Sequence, residues 1–203
     1  MIKFKNKGSF KVAPDKQFLA WIKKTLPDYP RIFDYGCGYG GWTNLISSIK
    51  CSKVDVDDVD DAALNFTKNL LGQRYEKEGL QDINYIILFA VLELFDEDGQ
   101  KDILKKMKVK MKGDKRFIIQ YNVYHPFSIR WILMFIRSLG RAKQYHEKHK
   151  FNRSYLNYKQ VESLFNEVGL KVEDWYAPTL FRGLKVSSRI VKNKLFLALS
   201  FTI

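Results

Sequence analysis

Residues 34–41 read Asp-Tyr-Gly-Cys-Gly-Tyr-Gly-Gly, and this stretch decides the expected fold. A short predicted strand over 31–35, with apolar Ile32 and Phe33, runs into this stretch, and residues 42–49 after it have apolar residues at helical spacing. Glycines between a strand and a helix allow a tight turn and let a ligand approach the bare backbone. The stretch therefore predicts a ligand-binding loop at the carboxyl end of a strand.

The rest of the chain continues this alternation of strands and helices. We predict further strands over 53–56, 85–90, 116–121, 170–176 and 195–201, and helices over 15–26, 62–71, 98–111 and 158–168. Such alternation predicts a mostly parallel α/β sheet with helices on both faces. Residues 124–153 do not fit it and are interpreted as an insertion. We expect one domain over 1–203, with an N-terminal helical segment over 1–30.

The glycines alone fit two classes of ligand. The dinucleotide pattern G-x-G-x-x-G is satisfied by Gly36, Gly38 and Gly41. Asp34, two residues before the first glycine, instead favours a cationic, amine-bearing ligand, because its carboxylate would repel a pyrophosphate. Asp55, at the predicted end of the second strand, either accepts hydrogen bonds from two ribose hydroxyls or merely begins the acidic turn over 57–61. Together the two acids favour a positively charged nucleoside.

These residues resemble the motifs of class I S-adenosylmethionine-dependent methyltransferases. Residues 34–40 are similar to the first motif, D-x-G-C-G-x-G, and Val54-Asp55-Val56 to the second. Residues 89–94, Phe-Ala-Val-Leu-Glu-Leu, resemble the V-L-E-H stretch after the fourth strand, and residues 158–170 the pattern of helix, glycine and sixth strand. The resemblance covers roughly residues 31–121 and 155–201, which is most of the chain.

The resemblance implies a Rossmann-like, seven-stranded, mostly parallel sheet with an antiparallel last strand, helices on both faces and a helical cap. It implies methyl transfer from S-adenosylmethionine, with S-adenosylhomocysteine as the product. The implied cofactor-binding residues are Asp34, Gly36, Cys37, Gly38, Gly40, Asp55, Val56, Phe89 and Ala90. Two departures affect this set. No clear equivalent of the adenine-binding acid follows the third strand, where Asp82 is only a candidate, and Leu94 replaces the usual histidine.

Composition excludes several classes of protein. With 46% hydrophobic residues among 203, the chain has enough apolar side chains for a packed core. The two cysteines, Cys37 and Cys51, form neither a CxxC pair nor a Cys/His cluster, so we expect no disulfide framework and no metal. Apolar runs such as Trp131 to Ile136 are far shorter than a membrane-spanning helix, and no apolar signal segment follows the N-terminal lysines, so we expect a cytoplasmic protein.

The net charge of +13 is concentrated in the second half of the chain. Residues 101–153 carry 15 basic and 3 acidic residues. This part of the chain either attracts an anionic partner or forms a solvated, lysine-rich surface. The basic residues over 141–153 are interleaved with Tyr145 and Phe151, as suits phosphates or nucleotides.

The insertion over 124–153 is the expected substrate cap. His125 follows the predicted strand over 116–121. It is our candidate general base, because its ordinary pKa lies near neutrality. A histidine before a proline also fits a purely structural turn. Residues 128–141 are apolar with flanking arginines, and they suit a lid, a peripheral membrane contact or a helix packed on the sheet or on a second subunit.

We therefore expect a methyltransferase acting on oxygen or nitrogen of a small acceptor, anionic or lipid-linked. The absence of a [DNS]-P-P-[YFW] tetrad and of a Pro-Cys pair disfavours the common base methyltransferases, so nucleic acid is a possible but less favoured partner. Two alternatives stay open: an RNA- or protein-directed methyltransferase that docks through the basic half, and a non-catalytic binding module that has kept the fold.

Overall fold

The computed structural model describes residues 16–50, 52–77, 79, 81–121, 158–176 and 195–200. The predicted cap over 124–153, with His125 and the segment 128–141, lies outside the described residues, as do residues 1–15 of the N-terminal segment. The chain divides into two compact units, Met1–Ile87 and Leu88–Ile203. The boundary falls inside one strand, and the single domain over 1–203 stays a prediction.

The first unit contains three helices and three strands among its described residues. They are α1 Lys16–Thr25, β1 Arg31–Tyr35, α2 Gly41–Lys50, β2 Lys53–Asp57, α3 Asp61–Leu71 and β3 Ile83–Phe89, whose last two residues belong to the second unit. Strand β1 pairs in parallel with both β2 and β3. Parallel pairing brings the carboxyl ends of these strands to the same edge of the sheet, which is where the loop after β1 begins.

Local sequence explains the elements around this edge. Strand β1 buries Ile32 and Phe33, which anchor the loop that follows. Asp60 is the N-cap of α3, and its carboxylate accepts hydrogen bonds from the amides of Ala62 and Ala63, satisfying two donors that the helix leaves unpaired.

Arg74 binds the middle of α2 in the first unit. Arg74 donates hydrogen bonds to the carbonyl and the side-chain oxygen of Asn44, and to the hydroxyls of Ser47 and Ser48. Arg74 ends a short 3-10 turn, Gly72–Arg74, directly after α3. Helices α2 and α3 on either side of the loop are thereby linked by one side chain.

The second unit contains two helices and three further strands among its described residues. They are α4 Glu97–Lys110, β4 Met111–Tyr121, α5 Tyr158–Glu167, β5 Lys171–Tyr176 and β6 Leu195–Ser200. Strand β6 pairs antiparallel with both β4 and β5. Lys101 of α4 lies 3.0 Å from Glu97 and 2.7 Å from Glu167, so it joins α4 to α5.

The α/β architecture expected from the sequence is confirmed, with corrections to the strand bounds. Strand β4 begins at Met111 rather than at residue 116, β3 spans Ile83–Phe89 rather than 85–90, and β2 extends one residue further, to Asp57. The described residues form six strands; a seventh strand stays a prediction. Within the same ranges, none of the helices combines the length and the apolar character that a membrane crossing requires.

Candidate functional site

The loop after β1 adopts a backbone that requires glycine at three places. Gly36, Gly38 and Gly40 have φ angles of 76°, 51° and 70°. An L residue with a side chain is strained at such angles, whereas glycine is not. The alternating glycines of the sequence motif therefore correspond to alternating left-handed residues in the turn between β1 and α2.

Four backbone amides of this loop already donate hydrogen bonds within the protein. The pairs are Gly36 N to Asp57 O at 2.8 Å, Cys37 N to Asp57 O at 3.1 Å, Gly38 N to Asp58 Oδ2 at 2.7 Å, and Gly40 N to Cys37 O at 3.0 Å. A phosphate-binding loop instead directs its amides at the ligand. The arrangement, with a carboxylate on one of the central amides, disfavours a pyrophosphate in this loop.

Asp34 of β1 is a buried carboxyl beneath the loop. Its side chain is 3% exposed and accepts a hydrogen bond from the hydroxyl of Thr43, in the first turn of α2. Burial raises the pKa of Asp34 to about 7; the Thr43 hydrogen bond lowers it, and the negative charge of Asp58 raises it. The structure thus places Asp34 beside the loop, as the sequence predicts, in an environment that raises its pKa to near neutrality.

Gly38 and Gly40 differ in what surrounds them. A Cβ atom added to Gly38 would meet no atom within 4 Å, so this face of the loop is open. A Cβ atom added to Gly40 would lie 2.6 Å from Cγ2 and 2.7 Å from Oγ1 of Thr67 in α3. Gly38 therefore permits close approach from outside, while Gly40 permits close packing of the loop against a helix.

Cys37 is a free, half-buried thiol within the loop. Burial raises the pKa of its thiol to about 12, and the negative charges of Asp34 and Asp58 act in the same direction. The thiol is therefore protonated at neutral pH and is a poor nucleophile. Cys37 contributes its backbone amide and carbonyl to the turn.

The structure corrects the position of Asp55. Asp55 is the third residue of β2 and pairs in register with Phe33, and its Oδ1 accepts from the amide of Val56 at 2.9 Å. Val56 is buried and lies opposite Asp34. The acid at the carboxyl end of β2 is Asp57, which lies opposite Tyr35 where β1 enters the loop.

Sequence reasoning missed Asp57 and Asp58 because residues 57–61 were considered only as an acidic turn after the strand. A usable signal was present, since parallel strands of equal length place their last residues next to the same loop. Thr43 and Thr67 were missed as well. Nothing in the sequence links Thr67 to Gly38, 29 residues earlier.

Two further predicted cofactor contacts lie in the second unit: Phe89 is the last residue of β3, and Ala90 follows it. Phe89 is half-buried and Ala90 is exposed. Ala90 has a φ of 59°, a strained angle for a residue with a side chain, and its amide donates to the carbonyl of Gln120 at 3.2 Å. Their contact with a cofactor stays a prediction. Asp82, the candidate adenine-binding acid, is exposed just before β3.

Polar side chains are buried around the turn after β3 in the second unit. The Tyr121 hydroxyl donates to Oε1 of Gln100 at 3.0 Å, and Nε2 of Gln100 donates to the carbonyl of Phe95 at 3.0 Å. Burial raises the pKa of Tyr121, and the charge of Glu93 contributes to this rise. Leu94, at the position of the family's histidine, is 40% exposed.

The part of the chain that the structure describes holds no group of three or more His, Cys, Asp or Glu residues that could bind a metal ion.

Comparisons with known proteins give a match in structure alone. No family profile and no curated protein matches the chain. The mitomycin 7-O-methyltransferase MmcR matches with a TM-score of 0.64 at 15% identity, covering 91% of this chain and 53% of that one. A protein described as a pericyclic reaction enzyme matches with a TM-score of 0.64 at 16% identity, covering 89% and 47%.

A third neighbour is magnesium protoporphyrin IX methyltransferase, ChlM, from Synechocystis PCC 6803, with bound S-adenosylhomocysteine. It matches with a TM-score of 0.62 at 11% identity, covering 92% of this chain and 81% of that one. The chain spans about half the length of the first two neighbours. At these identities the likeness establishes the fold: the chain has the Rossmann-like fold of class I S-adenosylmethionine-dependent methyltransferases.

Proposed function

We propose that the chain binds S-adenosylmethionine at the loop between β1 and α2 and transfers its methyl group to a small acceptor. One observation carries the proposal: four of the loop amides donate hydrogen bonds within the protein, and the carboxyl groups of Asp34 and Asp58 lie at the loop. A sulfonium and an ammonium are attracted to such a site, and a pyrophosphate is repelled. The fold and the S-adenosylhomocysteine bound to ChlM support the same ligand.

The residues present fit this ligand. We assign Asp34, Gly36, Cys37, Gly38 and Gly40 to the methionine part, with the open face of Gly38 as the point of approach. The cofactor supplies an electrophilic methyl group, and the chain has to orient it and exclude water. A bound cation also favours the ionised form of Asp34, so binding near pH 7 releases protons from a carboxyl whose pKa is about 7.

Two acids on one face of β2 are candidates for the ribose hydroxyls. Asp55 is the acid predicted from the sequence, with Val56 beside it, and Asp57 lies at the carboxyl end of the strand. We favour Asp57, because its carbonyl accepts from two loop amides and its side chain therefore starts next to the loop. Asp57→Asn should weaken cofactor binding more than Asp55→Asn does, and the reverse order would return the role to Asp55.

The acceptor is proposed from the charge of the chain and from the activity of one structural neighbour. We propose oxygen or nitrogen of a small anionic or amphipathic molecule, since MmcR is an O-methyltransferase and residues 101–153 are strongly basic. We also propose that His125 is the general base, that residues 124–153 form the substrate cap and that residues 128–141 can contact a membrane. A seventh strand and a cytoplasmic location are further parts of the proposal. Docking to RNA is the alternative, and it predicts retention on RNA that falls steeply with salt.

Isothermal titration of the full chain with S-adenosylmethionine and S-adenosylhomocysteine tests the proposal. We expect binding of both, with proton release near pH 7 measured in buffers of different ionisation enthalpy. Absence of heat at millimolar ligand would overturn it. Since one neighbour of this fold is a pericyclic reaction enzyme, methyl transfer needs its own assay, in which labelled methyl from the cofactor is followed into candidate acceptors.

A further inference from the structure

We infer that Thr67 of α3 is a positioning residue that sets the orientation of the Gly38 peptide in the cofactor loop. This inference rests on the proposed function for its role in binding, but its geometry stands without a ligand. Thr67 is completely buried and lies 29 residues from Gly38 in the sequence. It touches the loop through a hydrogen bond and through packing, at two different glycines.

The Gly38 residue is held from both sides by side chains. Its amide donates to Oδ2 of Asp58 at 2.7 Å, and its carbonyl accepts from the hydroxyl of Thr67 at 2.7 Å. The carbonyl also lies 3.6 Å from the thiol of Cys37. Fixing both the amide and the carbonyl of one residue fixes the two peptide planes that flank it, which glycine alone leaves free to rotate.

The same threonine limits the position of the next glycine. The closest atoms to the Cβ position of Gly40 are Cγ2, Oγ1 and Cβ of Thr67, at 2.6, 2.7 and 3.1 Å. The neighbouring residue of the helix, Phe66, packs edge-on against the ring of Tyr39, with the ring centroids 5.6 Å apart. One turn of α3 therefore contacts the loop at three successive residues, 38 to 40.

The hydroxyl is the group that matters for orientation. Removing the hydroxyl leaves the part-buried Gly38 carbonyl without its strongest described hydrogen-bond donor. A carbonyl in that state is stabilised by rotating toward water, where it can accept a new hydrogen bond. Rotation would turn the open face of Gly38 away from an incoming ligand. Methyl packing alone, by contrast, would keep α3 in place without fixing the peptide.

Three substitutions at this position separate these effects. Thr67→Val keeps the shape and loses the hydroxyl, Thr67→Ser keeps the hydroxyl and loses the methyl, and Thr67→Ala loses both. Thr25→Val is the matched control, because Thr25 is also buried and its hydroxyl has no hydrogen-bond partner among the described residues. If Thr67→Val does not fold, the Ser and Ala variants still differ by the hydroxyl alone.

Two measurements are made on each variant. Amide hydrogen exchange of the peptide spanning residues 36–40 should be faster by about tenfold in Thr67→Val and Thr67→Ala, and near wild type in Thr67→Ser and Thr25→Val. The dissociation constant of S-adenosylmethionine should rise about tenfold in the same two variants. In any transfer assay, KM for the cofactor should rise while kcat stays close to wild type.

The outcomes are distinguishable from failure of the proposed function. If wild type binds no S-adenosylmethionine, the proposed function is wrong, and the exchange measurement alone decides whether Thr67 holds the loop. Unchanged exchange in Thr67→Val or Thr67→Ala overturns the inference. Faster exchange with unchanged affinity for the cofactor overturns the positioning role and leaves only a structural contact.

Discussion

The glycine loop of the first unit and the turn after β3 in the second unit both require positive φ angles, but different residue types adopt them. Both follow the end of a parallel strand, and both contain left-handed residues. In the loop these residues are Gly36, Gly38 and Gly40, whereas in the turn the residue is Ala90. The loop is thus free of backbone strain and closely packed, and the turn carries strain at an exposed residue.

The largest expected effect is that of Gly40→Ala, which disrupts the close packing of the glycine loop against α3. The new Cβ both strains the left-handed backbone and overlaps Thr67, so we expect a loss of about 4 kcal/mol in the free energy of unfolding. Gly72→Ala is the control, because Gly72 also has a positive φ, of 56°, but open space at its Cβ position. Backbone strain alone should cost about 1–3 kcal/mol there. Equal losses of unfolding free energy in the two variants, measured by urea denaturation, would mean that Thr67 moves to make room for the new Cβ atom.

The next effect tests the carboxyl beneath the loop. Because the pKa of Asp34 is about 7 in the folded state and near 4 when unfolded, the folded protein binds more protons between these values, and its stability falls as pH rises. We expect a loss of about 2 kcal/mol from pH 5 to pH 7 relative to Asp34→Asn. Urea denaturation at pH 5, 6 and 7 measures it, and parallel curves for the two proteins would contradict the assignment.

Gly38→Ala should separate stability from binding. The left-handed angle costs about 1–2 kcal/mol, close to the cost of Gly72→Ala, because no atom crowds either Cβ position. The affinity for S-adenosylmethionine should nevertheless fall by at least about tenfold, since the methyl group stands on the open face. Titration calorimetry and thermal unfolding of the same sample provide the test. Wild-type affinity would move the ligand away from Gly38.

The smallest effect concerns the strained turn. Ala90→Gly should raise the free energy of unfolding by about 0.5–1 kcal/mol, because glycine accepts the φ of 59° without strain. The same substitution at exposed Ala20, in the middle of α1, should lower it by about 1 kcal/mol. A loss of stability in both variants, measured by urea denaturation, would show that Ala90 is not strained.

The comparison also explains what the sequence could predict. Helix α2, strand β1 and helix α3 are predictable from the spacing of their apolar residues, because this spacing depends on neighbours in sequence. The start of β4 was missed, since residues 112–115 read Lys-Gly-Asp-Lys and lack the apolar character of a strand. Secondary structure near the loop was therefore largely predictable.

The partners of the loop were less predictable than the loop itself. Asp58 and Thr67 reach Gly38 only after β2 and α3 have packed, and such contacts leave no periodic pattern. The predicted end of β2, at residue 56, was one residue early, so Asp57 fell outside the predicted strand. Which of Asp55 and Asp57 contacts a ribose stays a prediction.

The internal hydrogen bonds of the glycine loop have a thermodynamic consequence for any ligand that it binds. Because Asp57, Asp58 and Thr67 already hold the turn, its conformational entropy is lost during folding rather than on association. A ligand that docks on a preformed turn has a smaller ordering cost to overcome. Its binding entropy then reports mainly the water and counter-ions released from the carboxylates.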